Sequence, residues 1–197
     1  MLKEGIWDER KPDAVFGIHV GVAHGDTLVV ATSGPAMAAS DRYEITVKGR
    51  QTHGAMPWDG VDPIVVASQI VLGLQTNASR QVNVTEAPSI ISVGRIAGGV
   101  RNNVIPDEVE LEGTIRTFDA DMRREIHERI ERTARGIAEA SGAGIEFELE
   151  LGYPALINDP ELYDRMLPTL ERVTSVARGK PHTTAEDFSY FALETPG

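Results

Sequence analysis

Between residues 42 and 151 the hydrophobic period of the chain switches repeatedly between two and about 3.6 residues. This alternation limits the available folds more than any other feature. Residues 42–48 alternate, with Tyr43, Ile45 and Val47 on one side, as a half-buried strand does. Residues 61–75 carry apolar side chains at 61, 64, 65, 71, 72 and 74, close to helical spacing, with Pro63 in the first turn. Residues 82–99 are strand-like around Ile90, Ile91 and Val93 and stop at Gly98-Gly99. Residues 107–118 alternate through Val109, Leu111, Gly113 and Ile115. Asp119 is placed to cap a helix running to about Ser141, with Met122, Ile126, Ile130, Thr133, Ala134 and Ile137 on one stripe. Gly142 and Gly144 end it, and residues 145–151 alternate again. The order predicts a ferredoxin-like β-α-β-β-α-β domain, an antiparallel sheet with two helices on one face.

The flanks read differently. Residues 14–20 predict a short buried strand ending near His19, and residues 27–32 a second short strand. After Gly152-Tyr153-Pro154, Asp159-Pro160 predicts a helix from 159 to about 177, and residues 183–191 begin another. The predicted organisation is a domain over 42–151 inserted between segments 1–41 and 152–197 of a second domain.

Charge and composition exclude several classes. The net charge is −11 over 197 residues, with no basic stripe, so nucleic acid is not an expected partner. There is no cysteine, hence no disulfide framework and no thiolate metal cluster. No apolar run approaches the length of a membrane span, and a cytoplasmic location is expected.

Residues able to carry chemistry are few. His53 lies among small residues, between Thr52 and Gly54-Ala55, with an uncrowded ring that can reach beyond its own segment. His19 ends an apolar run, a place for a ligand in an open α/β sheet, though a lone histidine there is more often structural. His19, His24 and Asp26 do not form a known ligand spacing. His127 sits among Arg and Glu and reads as part of a solvated helix face, and His182 follows a proline in a loop. Asn103 can offer its amide to a ligand or close an Asx-turn. Arg116 can hold a carboxylate with its forked guanidinium or form a surface salt bridge. Glu186 and Asp187 are expected on different sides of a helix. Neither a nucleophile elbow nor a phosphate-binding loop is present, Gly94–Gly99 included.

In order along the chain stand Phe16-Gly-Ile-His19-Val, Gly49-Arg-Gln-Thr-His53-Gly-Ala-Met-Pro, Val61-Asp-Pro-Ile64, Val93-Gly-Arg-Ile-Ala-Gly-Gly99, Asn103-Val-Ile-Pro106, Gly113-Thr-Ile-Arg116-Thr-Phe118 and Ala185-Glu-Asp-Phe188. As a series these segments resemble the aminoacylase-type zinc metallopeptidases, the superfamily of acetylornithine deacetylase and succinyl-diaminopimelate desuccinylase. Within it they are most similar to the N-acyl-amino-acid amidohydrolase and hippurate hydrolase branch. The resemblance implies a zinc-peptidase-like α/β catalytic domain with two divalent metal ions (zinc, or manganese, cobalt or nickel) and an inserted lid that forms a homodimer. It implies hydrolysis of N-acyl amino acids or small peptides by a metal-activated water, with a glutamate as general base. It assigns His19 as a metal ligand and His53 as a donor that stabilises the oxyanion in the partner subunit's site. It assigns Asn103 and Arg116 to substrate, Arg116 to its free carboxylate.

The chain departs from that family pattern by lacking its Cys-Gly-His-Asp-Gly-His segment, its Glu-Glu pair and its last histidine ligand. The expectation is therefore an intact lid with catalytic-domain segments, no metal retained, no hydrolysis by this chain alone, and flanks with unpaired strand edges. The competing expectation is a non-enzymatic ferredoxin-like module that dimerises or binds a small ligand.

Overall fold

A computed structural model describes residues 2–21 and 28–197. The elements, in chain order, are β1 (Leu28–Ala31), β2 (Gly34–Met37), β3 (Ala39–Lys48), β4 (Thr52–His53), α1 (Pro63–Arg80), β5 (Ser89–Gly98) and β6 (Val104–Ile105). They continue as β7 (Glu108–Thr117), α2 (Ala120–Ala140), β8 (Gly144–Leu151), β9 (Leu156–Asn158), α3 (Pro160–Glu171), β10 (Ser175–Arg178) and α4 (Ser189–Ala192). They form two units, one of Ser40–Gly152 and one of Met1–Ala39 with Tyr153–Gly197.

In the unit Ser40–Gly152, four strands form a sheet in the order β5-β7-β3-β8. β5 pairs antiparallel with β7, and β3 antiparallel with β8. Period two puts Tyr43, Ile45 and Val47 of β3 and Val109, Leu111 and Ile115 of β7 in the core. α1 and α2 pack on each other and against the sheet. α1 buries Val66, Ala67, Ile70 and Leu74, and α2 buries Met122, Ile126, Ile130, Ala134 and Ala138. Asp62 caps α1 by accepting from the Ile64 and Val65 N–H groups, with Pro63 at the first position. Asp119 caps α2 through the Met122 N–H, as its position predicts. Gly142 takes the positive φ of +71° that turns the chain from α2 into β8.

Boundaries shift here, and β3 begins at Ala39, ahead of the expected 42. α1 runs to Arg80, past the expected 75, because buried Leu74 and Asn77 hold its last turns. The strand expected from 82 starts at Ser89, since Asn83 instead makes a turn, accepting from the Thr85 N–H.

The other unit departs further from expectation. Residues 14–20 are not a strand and are not buried: Phe16, Ile18 and Val20 are exposed and no ladder pairs them. A strand exists only by its ladder, and the bond from the Val15 N–H to the Pro196 carbonyl at 2.9 Å does not make one. β1 pairs in parallel with β10, and β2 pairs antiparallel with β9. The helix expected to 177 ends at Glu171, and Ser175–Arg178 is a strand instead, matched residue for residue to β1. Of the helix expected within 183–191, only the turn Ser189–Ala192 forms. Among the described residues no helix is long and apolar enough to cross a membrane.

Candidate functional site

His53 is displayed at a pinned hairpin tip. β4 pairs antiparallel with β6, setting Thr52 against Ile105 and His53 against Val104. The next residue continues the contact, the Gly54 N–H donating to the Asn103 carbonyl at 2.8 Å. A Cβ at Gly54 would lie 3.2 Å from that carbonyl, so a larger residue would push the tips apart. The loop then closes on itself. The Met56 N–H donates to the His53 carbonyl at 2.8 Å, the Thr52 hydroxyl donates to the Met56 carbonyl, and the Ala55 N–H donates to Nδ1 of the His53 ring at 3.0 Å. The ring is exposed, and its Nε2 has no partner among the described residues.

Asn103 sits on the facing tip. Its side chain is exposed and makes no hydrogen bond among the described residues, so the Asx-turn alternative does not apply. Two unoccupied polar groups, the Asn103 amide and His53 Nε2, thus share one edge of the unit. Arg116 does not join them. It lies in β7, opposite Ile90, eight residues beyond Glu108 at the strand's start, or roughly 25 Å along the strand. Its guanidinium pairs with no carboxylate among the described residues, which removes the salt-bridge alternative.

In the other unit, His19 has one strong partner. Its Nδ1–H donates to Glu186 Oε2 at 2.8 Å, while three-quarters of its side chain stays exposed. Glu186 and Asp187 are not on opposite helix faces, because α4 begins only at Ser189. Burial works upward on the Glu186 carboxyl, but hydrogen bonds with His19, Asp187 and the Phe188 backbone N–H hold it below the usual range. A carboxylate on Nδ1 turns Nε2 outward, the arrangement that orients a ligating histidine. Among the described residues no group of three His, Asp or Glu could hold a metal ion. His24 and Asp26, weighed with His19 above, lie outside the described residues.

His127 does not lie on the solvated helix face that its Arg and Glu neighbours predict. Its side chain is 13% exposed, and Nε2 hydrogen-bonds Asp41 Oδ2 at 2.8 Å. Asp41, fully buried, also accepts from Arg123 Nε at 2.8 Å and from the Gly152 N–H at 3.0 Å. Four residues spacing Arg123 from His127 on one helix face was the available signal. The acceptor, 82 and 86 residues away, was not visible locally. This cluster is structural: its polar groups are spent on one another.

A family model of the peptidase dimerisation domain matches residues 39–141. The thermostable carboxypeptidase 1 of Saccharolobus solfataricus is 34% identical over the whole chain, which covers 50% of that protein. The N-acyl-L-amino acid amidohydrolase of Geobacillus stearothermophilus is 40% identical over 82% of the chain and 43% of its own length. Among solved structures, the Bacillus subtilis YXEP protein, described as a dinuclear metal binding peptidase from the M20 family, matches with a TM-score of 0.70 at 32% identity. That match covers 86% of this chain and 42% of that one. The chain spans about half the length of the curated relatives it matches.

Proposed function

We propose, from the premise that this chain belongs to the M20 peptidase family, that its inserted unit is a ferredoxin-like dimerisation lid. The lid would present His53 and Asn103 to a substrate bound by a second subunit. The strand order β5-β7-β3-β8 with α1 and α2 across it supports the ferredoxin-like reading. The substrate class is N-acyl amino acids or small peptides, and the reaction is hydrolysis of the amide. One observation carries the reading. His53 and Asn103 are held by backbone bonds on adjacent tips while their functional groups stay exposed and unused. A backbone pinned in this way presents both side chains outward from fixed positions, as a ligand site requires. Arg116, remote along β7 and unpaired, suits the free carboxylate of a substrate. If all three meet one substrate, two copies of the unit must contribute.

The dimer reading has its own support. Up to Arg80 at its last residue, the exposed face of α1 (Ile64, Val65, Ser68, Gln69, Leu72, Gln75, Thr76 and Ser79) carries no charge in a chain that is 25% charged. Beside it, edge strand β5 exposes Ile90 and Ile96. The opposite edge, β8, carries Glu146, Glu148 and Glu150, which discourage pairing. Depletion of charge beside an open apolar edge favours α1 and β5 as the contact between copies.

A divalent metal pair does not fit on the described residues, which supply His19 as a single oriented ligand. The 197-residue chain is expected to show no turnover of N-acetyl or N-benzoyl amino acids with added zinc, manganese or cobalt. It is expected to sediment as a dimer. Turnover abolished by His53→Ala would overturn the first expectation. A monomer at all accessible concentrations would overturn the second.

A further inference from the structure

We infer that the Ala55 backbone N–H is a positioning group that fixes His53 as its Nε2–H tautomer. The inference rests on the reading of His53 as an oxyanion donor and explains how the side chain is prepared for it. The Ala55 N–H reaches Nδ1 at 3.0 Å, so that nitrogen must present its lone pair. In the neutral ring the single proton then resides on Nε2, the atom that faces away from the loop. A ring in this state donates a hydrogen bond outward and has no second lone pair with which to take a proton. It serves a developing oxygen anion and does not serve as a general base toward the same ligand.

The loop is built to hold this bond. The Met56 N–H on the His53 carbonyl and the Thr52 hydroxyl on the Met56 carbonyl close the turn on both sides of Ala55. The β4–β6 pairing and the Gly54–Asn103 bond keep the turn against its neighbour. Residue 55 is therefore selected by its backbone: any residue with an N–H can act there, and proline cannot. No other hydrogen bond reaches the ring among the described residues, so the tautomer has no other hydrogen-bonding determinant there.

The test is nitrogen-15 NMR of the full chain, which needs no turnover. At neutral pH, His53 Nδ1 is expected at the pyridine-type position and Nε2 at the pyrrole-type position, with a coupling across the hydrogen bond between the Ala55 nitrogen and Nδ1. Ala55→Gly keeps this signature. Ala55→Pro loses the coupling and moves both ring resonances toward averaged values. A proton found on Nδ1 in the unsubstituted chain overturns the inference, and that measurement stands even where Ala55→Pro does not fold. If the signature is present but His53→Ala leaves a catalytically competent full-length relative unaffected at its matching position, the oxyanion reading fails and the tautomer assignment survives.

Discussion

The Asp41 carboxylate and the Gly152 N–H, 111 residues apart, hydrogen-bond at 3.0 Å where the chain enters and leaves one unit. The same carboxylate takes Arg123 and His127 from α2, so one buried side chain joins β3, the end of β8 and a helix. Every Asp41 lone pair is used. Replacing Asp41 with alanine strands a guanidinium, an imidazole and an amide. We expect a loss of about 3–5 kcal/mol, read as a lowered denaturant midpoint of the cooperative transition. A midpoint unchanged within error would show that the cluster does not hold the unit together.

The same cluster sets an acid dependence. Burial works upward on the Asp41 carboxyl, but the bonds from Arg123 and His127, with the Gly152 N–H, outweigh it and lower its pKa from 3.8 to about 2. The folded value lies below the unfolded one. The stabilisation is therefore complete above about pH 4 and is lost as pH falls through about 2. The amount at stake is about 2 kcal/mol. Urea midpoints of the wild type and Asp41→Asn should converge as pH falls across that interval. Parallel curves would contradict the assignment.

Gly113 is required by the core. A Cβ there would collide with the Tyr43 ring and the Ser92 carbonyl, and Tyr43, fully buried, donates to that same carbonyl at 3.1 Å. Gly113→Ala should cost about 2–3 kcal/mol by overpacking. Tyr43→Phe keeps the ring and should cost only about 1 kcal/mol. Thermal unfolding of both variants checks the order.

The two sheet edges should respond oppositely to charge. Leu72→Glu on α1 and Ile96→Glu on β5 place charge at exposed apolar positions and should shift the dimer to monomer in sedimentation equilibrium. Glu148→Lys on β8 should leave association unchanged. Dissociation by the β8 substitution, with the other two silent, would move the interface to the opposite edge.

The long elements of the inserted unit were legible because each declares itself within its own residues. Tyr43, Ile45 and Val47 need only period two, and Met122, Ile126, Ile130 and Ala134 only period 3.6; the expected Thr133 and Ile137 are half-buried, and Ala138 closes the stripe instead. Asp119 and Asp62 cap by reaching two or three residues ahead. Elements defined by a distant partner were not legible. β4 and β6 have two residues each and exist because they face one another. The expected helix overruns β10 because nothing within residues 172–178 announces its match to β1. A boundary drawn at 42 and 151 leaves both Asp41 and Gly152 outside it, since neither looks structural until the other is beside it.

The sequence by itself determined the kind and order of the long elements and the family resemblance carried by the His53, Asn103 and Arg116 motifs. All of these are short-range patterns of side-chain chemistry. Tertiary structure decided which of those residues meet. It set His53 beside Asn103, put Arg116 far along β7, turned Glu186 onto His19 and buried His127 against Asp41. It also decided which ring nitrogen of His53 is left to act, because a backbone N–H two residues on occupies the other. The physical reason is that hydrogen bonds and burial depend on distance in space, and a chain records only distance along itself.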